Sequence, residues 1–177
     1  INLKELSMFG FSTENWSREE KEIKSIIRLI EIFLNSEIVT MNEKNIKFKF
    51  VGDITRFNSH FQKLLLRAEH LTKNNNGLIL NAALNYGGAM DFVTAAKKIA
   101  LQVKEDKLTI DNINETIFRD SLLSNSISDI DLLIRTSGEQ RLSNFLLWQC
   151  RYSHNKERLS STLAHLCSLS YHTAGVV

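Results

Sequence analysis

Two long helical stripes bracket a short segment of strict strand alternation, and that sequence limits the fold more than anything else in the chain. Ile46-Lys47-Phe48-Lys49-Phe50 alternates apolar and basic at period two, the mark of a half-buried strand whose lysines form a solvated face. Before it, Ile23, Ile26, Ile27, Ile30, Phe33, Leu34, Ile38 and Met41 recur at helical spacing, predicting an amphipathic helix over 19–42. After it, the pattern predicts a helix from Asn58 to Lys73, closed by the turn cluster Asn74-Asn75-Asn76-Gly77. Leu6 to Phe11 reads as a short buried strand and Leu78 to Leu84 as another. Asn85-Tyr86-Gly87-Gly88 then turns the chain into a helix covering about 89–105. A helix near 111–123 precedes a strand from Ile130 to Arg135, and Ser143 starts the last recognisable helix. Four strands alternating with helices predict an α/β fold: one domain with a mostly parallel sheet and helices on both faces.

In such sheets ligands sit beyond the C-terminal ends of the strands. The block Asp131-Leu-Leu-Ile-Arg135-Thr-Ser-Gly138-Glu-Gln-Arg141-Leu-Ser143 lies at one of these ends. Arg135 and Arg141 carry planar forks that grip phosphate oxygens two at a time, and Thr136, Ser137 and Ser143 add hydroxyl donors. The block predicts a phosphorylated ligand; the alternative is a pair of surface salt bridges. Neither a G-x-G-x-x-G nor a P-loop is present, so a standard nucleotide binder is excluded and a generic phosphate-binding α/β module is the runner-up. Tyr86-Gly87-Gly88 reads as a tight turn needing glycine dihedrals, and Asp91 as a carboxylate favoured by the dipole at a helix start.

Bulk properties bound the rest. The chain has 177 residues, 43% hydrophobic and 24% charged, which suits one cytoplasmic globular domain. A net charge of +2 gives no reason to invoke nucleic acid. No apolar run reaches the ~20 residues of a membrane span, and Ile1 opens no signal-peptide pattern. Cys150 and Cys167 lack metal-ligand spacing and predict no disulfide framework. Zero prolines and a first residue, Ile1, on the edge of a strand pattern read as a fragment.

A second polar block follows the first strand: Phe11-Ser12-Thr13-Glu14-Asn15-Trp16-Ser17-Arg18. With Asn85-Tyr86-Gly87-Gly88, Asp91 and the 131–149 block, in that order and spacing, it resembles the cis-prenyltransferases over roughly residues 1–153. The resemblance implies condensation of isopentenyl diphosphate with an allylic diphosphate such as farnesyl diphosphate, giving a polyprenyl diphosphate with cis double bonds. It implies magnesium as cofactor, a homodimer, and work at the inner face of the membrane through the lipid product only. It places Arg135, Arg141, Leu142 and Ser143 on the isopentenyl diphosphate, and Ser12, Thr13 and Glu14 along the substrate site. Asn15 takes the position of the proposed proton acceptor; a neutral amide is a weak base, so orienting a carbon or a diphosphate oxygen suits it better. Trp16 would pack on the isoprenoid, Arg18 would reach a phosphate, and Thr13 to Glu20 would form a mobile lid. Apolar side chains of the 19–42 helix and Leu78-Ile79-Leu80 would wall a tunnel, or serve as plain core.

The chain departs from the family at several positions. The family's Asp-Gly-Asn-x-Arg-Trp segment, with the first strand and first helix, is not among these residues. Ala89 stands where arginine is usual, and Gln140 where some relatives have a metal-contacting histidine. Tyr152 is kept, but His154 stands where the family has a metal-binding glutamate, and imidazole suits magnesium poorly. Residues 154–177 lose the pattern and read as a disordered tail or a shifted reading frame. These departures predict impaired catalysis, or a non-catalytic subunit or degenerate remnant keeping one diphosphate site.

Overall fold

The computed structural model describes residues 3–134 and 142–151, and the backbone of 154–155. The alternating segment forms β2 (Lys47–Val51), between α1 (Glu20–Glu43) and α2 (Ser59–Thr72). β1 (Glu5–Ser12) and β3 (Ile79–Tyr86) complete a three-stranded parallel sheet in the order β1-β3-β2. α3 (Gly88–Lys104) and α4 (Glu115–Ser121) follow, then the two-residue strands β4 (Leu132–Leu133) and β5 (His154–Asn155).

The sheet sorts its side chains by pleat. Phe48, Phe50, Leu80, Ala82 and Leu84 face α1 and α2, where Leu34, Ile38, Met41, Phe61, Leu65 and Ala68 close a core. Val51, Ala83 and Tyr86 join the opposite core with Ile127, Phe145, Leu146 and Cys150. In β1 the register shifts between Phe9 and Phe11, so Gly10 acts as a bulge and the two phenylalanines enter opposite cores. In β3, Asn85 takes a left-handed φ of 47°, which breaks the alternation just before the strand ends.

Asparagines punctuate the helices. Asn58 accepts the Phe61 N–H at 2.9 Å to cap α2, and Asn114 accepts the Ile117 N–H at 3.1 Å to cap α4, each worth about 1 kcal/mol. The Asn114 cap explains why the single helix expected near 111–123 is split into a 3-10 turn, Ile110–Asn112, and the shorter α4.

Two expectations are corrected. Among the described residues, the strand expected over 130–135 does not extend the main sheet; within 130–134 only Leu132–Leu133 is a strand, paired in parallel with His154–Asn155. Leu132 and Ile134 are exposed, so this segment is not sandwiched between layers. The helix expected from Ser143 is absent, because Ser143, Asn144 and Leu146 have φ of 46°, 61° and 42°. That left-handed backbone cannot continue a right-handed helix, and it delivers Phe145 and Leu146 into the second core instead.

Candidate functional site

The ends of β1, β2 and β3 come together through their loops. After β1, Thr13–Ser17 forms one 3-10 turn. The Ser12 N–H donates to Asn15 Oδ1 at 2.7 Å, the Arg18 N–H to the Asn15 carbonyl at 3.1 Å, and the Ser17 hydroxyl to the Glu14 carbonyl at 2.7 Å. These local bonds fix the turn so that Glu14, Asn15 and Trp16 project from one point.

Trp16 is half-buried against Phe11 and Phe57, with ring centroids 4.9 and 5.4 Å away, and the Arg56 guanidinium lies 4.2 Å from its ring centroid. Its indole N–H donates to Asn85 Oδ1 at 2.7 Å. Asn85 is 6% exposed, and its amide nitrogen donates to the Asp53 carbonyl at 2.7 Å. Its left-handed backbone turns the side chain across the strand ends, a conformation asparagine tolerates better than most residues. Asp53 Oδ1 accepts from the Thr55 N–H and hydroxyl at 3.0 and 2.6 Å, closing the loop after β2.

On the other side, Asn144 Nδ2 donates to Glu14 Oε1 at 2.9 Å, while its Oδ1 accepts the Ala89 N–H and its carbonyl the Gly88 N–H, both at 2.7 Å. The Asn144 amide holds the Glu14 carboxyl below its ordinary value of 4.5, against an opposing effect of burial. A carboxylate with a lowered pKa supports the folded arrangement above its ordinary value and loses that support as pH falls through the lowered one. Hydrogen exchange of the 13–17 amides should therefore be constant from neutral pH down to about 4.5 once intrinsic rates are factored out. Below that it should rise as Glu14 takes up its proton.

The glycines at 87–88 serve close approach rather than unusual dihedrals, since Gly87 has φ −162°, within the ordinary extended range. A Cβ on Gly88 would stand 2.5 Å from Leu147 Cγ, and one on Gly87 would stand 2.7 Å from Thr13 Oγ1 and 2.9 Å from Asn144 Nδ2. Asp91, read as a helix-start carboxylate favoured by the dipole, lies in the first turn of α3 but is 1% exposed. It accepts from the Leu123 N–H at 2.6 Å and from the Tyr86 and Ser124 hydroxyls, and Gln149 Nε2 donates to Ser124 in turn. Burial, then the Asp91 charge, push the Tyr86 hydroxyl far above its ordinary range, so it stays a donor.

Of the residues expected at the site, Ser12, Thr13, Glu14, Asn15 and Trp16 share this turn and its approach. Arg18 follows it, ion-paired with Glu22 on the exposed start of α1. Such pairs are worth little and exchange readily for another anion. Leu142 packs on the second core, and Ser143 stands beside Asn144 in the same left-handed stretch. Arg135 and Arg141 lie outside the described residues, as does the side chain of His154. Sequence reasoning missed Asp53, Arg56, Asn85 and Asn144 as members of the site. Asp53 was signalled by Val51-Gly52-Asp53 at the end of an alternating strand, and Asn85 and Asn144 stood inside blocks that carried the resemblance but were given no role of their own.

Among the described residues, no three His, Cys, Asp or Glu side chains come together as metal ligands. Glu14 accepts from Asn144, Asp53 from Thr55 and Asp91 from three donors. No helix among the described residues is long and apolar enough to cross a membrane.

Comparison with known proteins identifies the family. Residues 1–162 match the family described as "Putative undecaprenyl diphosphate synthase". The farnesyl-diphosphate-specific ditrans,polycis-undecaprenyl-diphosphate synthase of Pasteurella multocida is 45% identical over 153 residues, 86% of this chain and 64% of that protein. The isoprenyl transferase of Clostridium perfringens is 44% identical over 153 residues, 86% of this chain and 60% of that protein. The chain thus spans less than two thirds of the length of these relatives. Among solved structures, lavandulyl diphosphate synthase from Lavandula x intermedia, in complex with dimethylallyl diphosphate, superposes with a TM-score of 0.83 at 33% identity, covering 98% of this chain and 78% of that one. With its parallel sheet flanked by helices and its polar turns gathered at the strand ends, the chain belongs to the undecaprenyl diphosphate synthase family of cis-prenyltransferases.

Proposed function

We propose that this chain provides the isopentenyl diphosphate side of a cis-prenyl transferase site. The observation that carries the reading is the meeting of three segments, 12–18, 85–88 and 142–144, at the ends of β1 and β3, tied by the Trp16–Asn85 and Glu14–Asn144 hydrogen bonds. The diphosphates named with its relatives, farnesyl diphosphate in one specificity and dimethylallyl diphosphate in one complex, are both allylic. In the reaction the allylic carbon–oxygen bond breaks and its diphosphate leaves, the isopentenyl double bond forms a carbon–carbon bond at that carbon, and the proton lost from the isopentenyl unit passes to an oxygen of the departing diphosphate.

Arg135, Arg141 and Ser143 would grip the isopentenyl diphosphate, with Leu142 setting the backbone between them. Asn15 commits its amide oxygen to the Ser12 N–H, which leaves its NH2 as the end available to substrate. It therefore acts as a donor that orients a diphosphate oxygen, not as a proton acceptor. Trp16 and the half-buried Ile23, Ile26, Ile27, Ile30 and Phe33 offer the prenyl chain an apolar strip continuous with the first core. Magnesium, a homodimer, and contact with the inner face of the membrane through the product enter this reading through the family alone. His154 in the glutamate position keeps turnover low in the same reading.

Titration of isopentenyl diphosphate into the folded protein tests the reading. Binding is expected, and Arg135→Ala and Arg141→Ala should each weaken it about 10–100-fold, the worth of a charged hydrogen-bonded contact. No heat from folded protein would end the proposal. Asn15→Asp keeps an acceptor for Ser12 but turns a carboxylate toward the diphosphate. It should lower labelled isopentenyl diphosphate incorporation, with farnesyl diphosphate present, by about 10²-fold while thermal stability stays put.

A further inference from the structure

Asn144 uses all of its polar side-chain groups and its carbonyl at a junction of two elements far apart in sequence. Its carbonyl and Oδ1 take the first two N–H groups of α3, Gly88 and Ala89, and its Nδ2 holds Glu14, which is 130 residues away. Its φ of 61° aims the side chain back toward α3. Glu14 and Ala89 are exposed, so neither contact is needed to close a core. What the contacts fix is the position of the 13–17 turn relative to the left-handed stretch that begins at Ser143.

We propose that Asn144 is a positioning residue: it clasps Glu14 to the start of α3 and thereby sets where Asn15 and Trp16 stand relative to Ser143. The consequence for turnover rests on the diphosphate reading above; the clasp itself does not. The chemistry explains the residue type. The position needs an acceptor for Ala89 and a donor for Glu14 on one short side chain. Aspartate supplies the first but meets Glu14 with like charge, and alanine supplies neither. Glutamine carries the right groups on a longer stem, in a space where a Cβ on Gly87 would already lie 2.9 Å from the amide.

The test exchanges the two partners. In Asn144→Asp the clasp is repelled while Ala89 keeps its acceptor. When Glu14→Gln is combined with Asn144→Asp, the amide now at position 14 donates to the carboxylate now at position 144, and the bond returns with reversed polarity. By hydrogen–deuterium exchange, N144D should speed exchange of the 13–17 amides about tenfold, and the double variant should restore most of the protection. The specificity constant for isopentenyl diphosphate should fall about tenfold in N144D, with part of the fall in kcat, and recover in the double variant relative to N144D.

Exchange in N144D like that of the unsubstituted protein would overturn the proposal. So would a double variant no better protected than N144D at equal melting temperature. If N144D does not fold, Glu14→Ala at an exposed position decides. Exchange should rise at 13–17 and stay low at 88–91, and unchanged exchange at 13–17 overturns the clasp. Absence of incorporation by the unsubstituted protein would count against the transferase reading, while the exchange data still judge the clasp.

Discussion

Gly52→Ala is expected to lower the stability of the protein by about 3–5 kcal/mol, from backbone strain and overpacking together. Gly52 has φ 124°, a region that L side chains rarely adopt. A Cβ there would lie 2.0 Å from the Leu84 carbonyl oxygen and 3.1 Å from that of Asn85. Both obstacles are backbone of the central strand, so no rotamer change relieves the clash. The loop after β2 would have to lift away, breaking the Asp53 N–H to Asn85 carbonyl bond and the Asn85 amide to Asp53 carbonyl bond. Asn85 would then lose its hold on Trp16. Urea denaturation should show the loss, with indole fluorescence altered before unfolding. A change under about 1 kcal/mol would mean that β2 and β3 do not approach this closely.

Asp91→Ala should cost a similar amount, about 3–5 kcal/mol. The carboxylate is almost fully buried and satisfies the Leu123 N–H, the Tyr86 hydroxyl and the Ser124 hydroxyl together. Alanine leaves all three donors without their acceptor and a void where the carboxylate stood. Asp91→Asn should be milder, about 1–2 kcal/mol, because the amide oxygen still serves Leu123 and the hydroxyls can rotate to accept from its NH2. Equal losses for the two variants in chemical denaturation would show that charge, not hydrogen-bond capacity, is what this site requires.

The elements that announce themselves by period were legible from sequence: α1, α2, β2, and the parallel order that puts the polar turns on one edge. The 12–18 turn was legible as a polar block at a strand end, and its roles came from the resemblance to the family. What escaped prediction depends on backbone that no period reports. Ser143, Asn144 and Leu146 carry a respectable helical pattern, yet their left-handed φ values answer to Gly88, Ala89 and the second core, which lie elsewhere in the chain. The role of Gly87 and Gly88 was misread for the same reason: a glycine needed for its dihedrals and one needed for the room beside it look alike in a sequence. Leu132 and Ile134 resemble core residues by type, and only their exposure shows that they line no layer of the main sheet.

The strand order β1-β3-β2 also bears on how the chain is made. Among the described strands, β1 and β2 have β3 as their only neighbour in this sheet, and β3 is the last of the three to leave the ribosome. At ~5–20 residues per second, β1 waits roughly 4–15 s for β3, its neighbour among the described strands. During that interval the nascent chain can form α1 and α2, but β1 and β2 both still lack β3, and each carries phenylalanines that the finished sheet covers. Synthesis of Ile79–Tyr86 closes both ladders at once. Slowing translation just upstream of codon 79 should therefore lengthen the aggregation-prone period and raise the demand for chaperones, whereas a pause after codon 86 should do so far less.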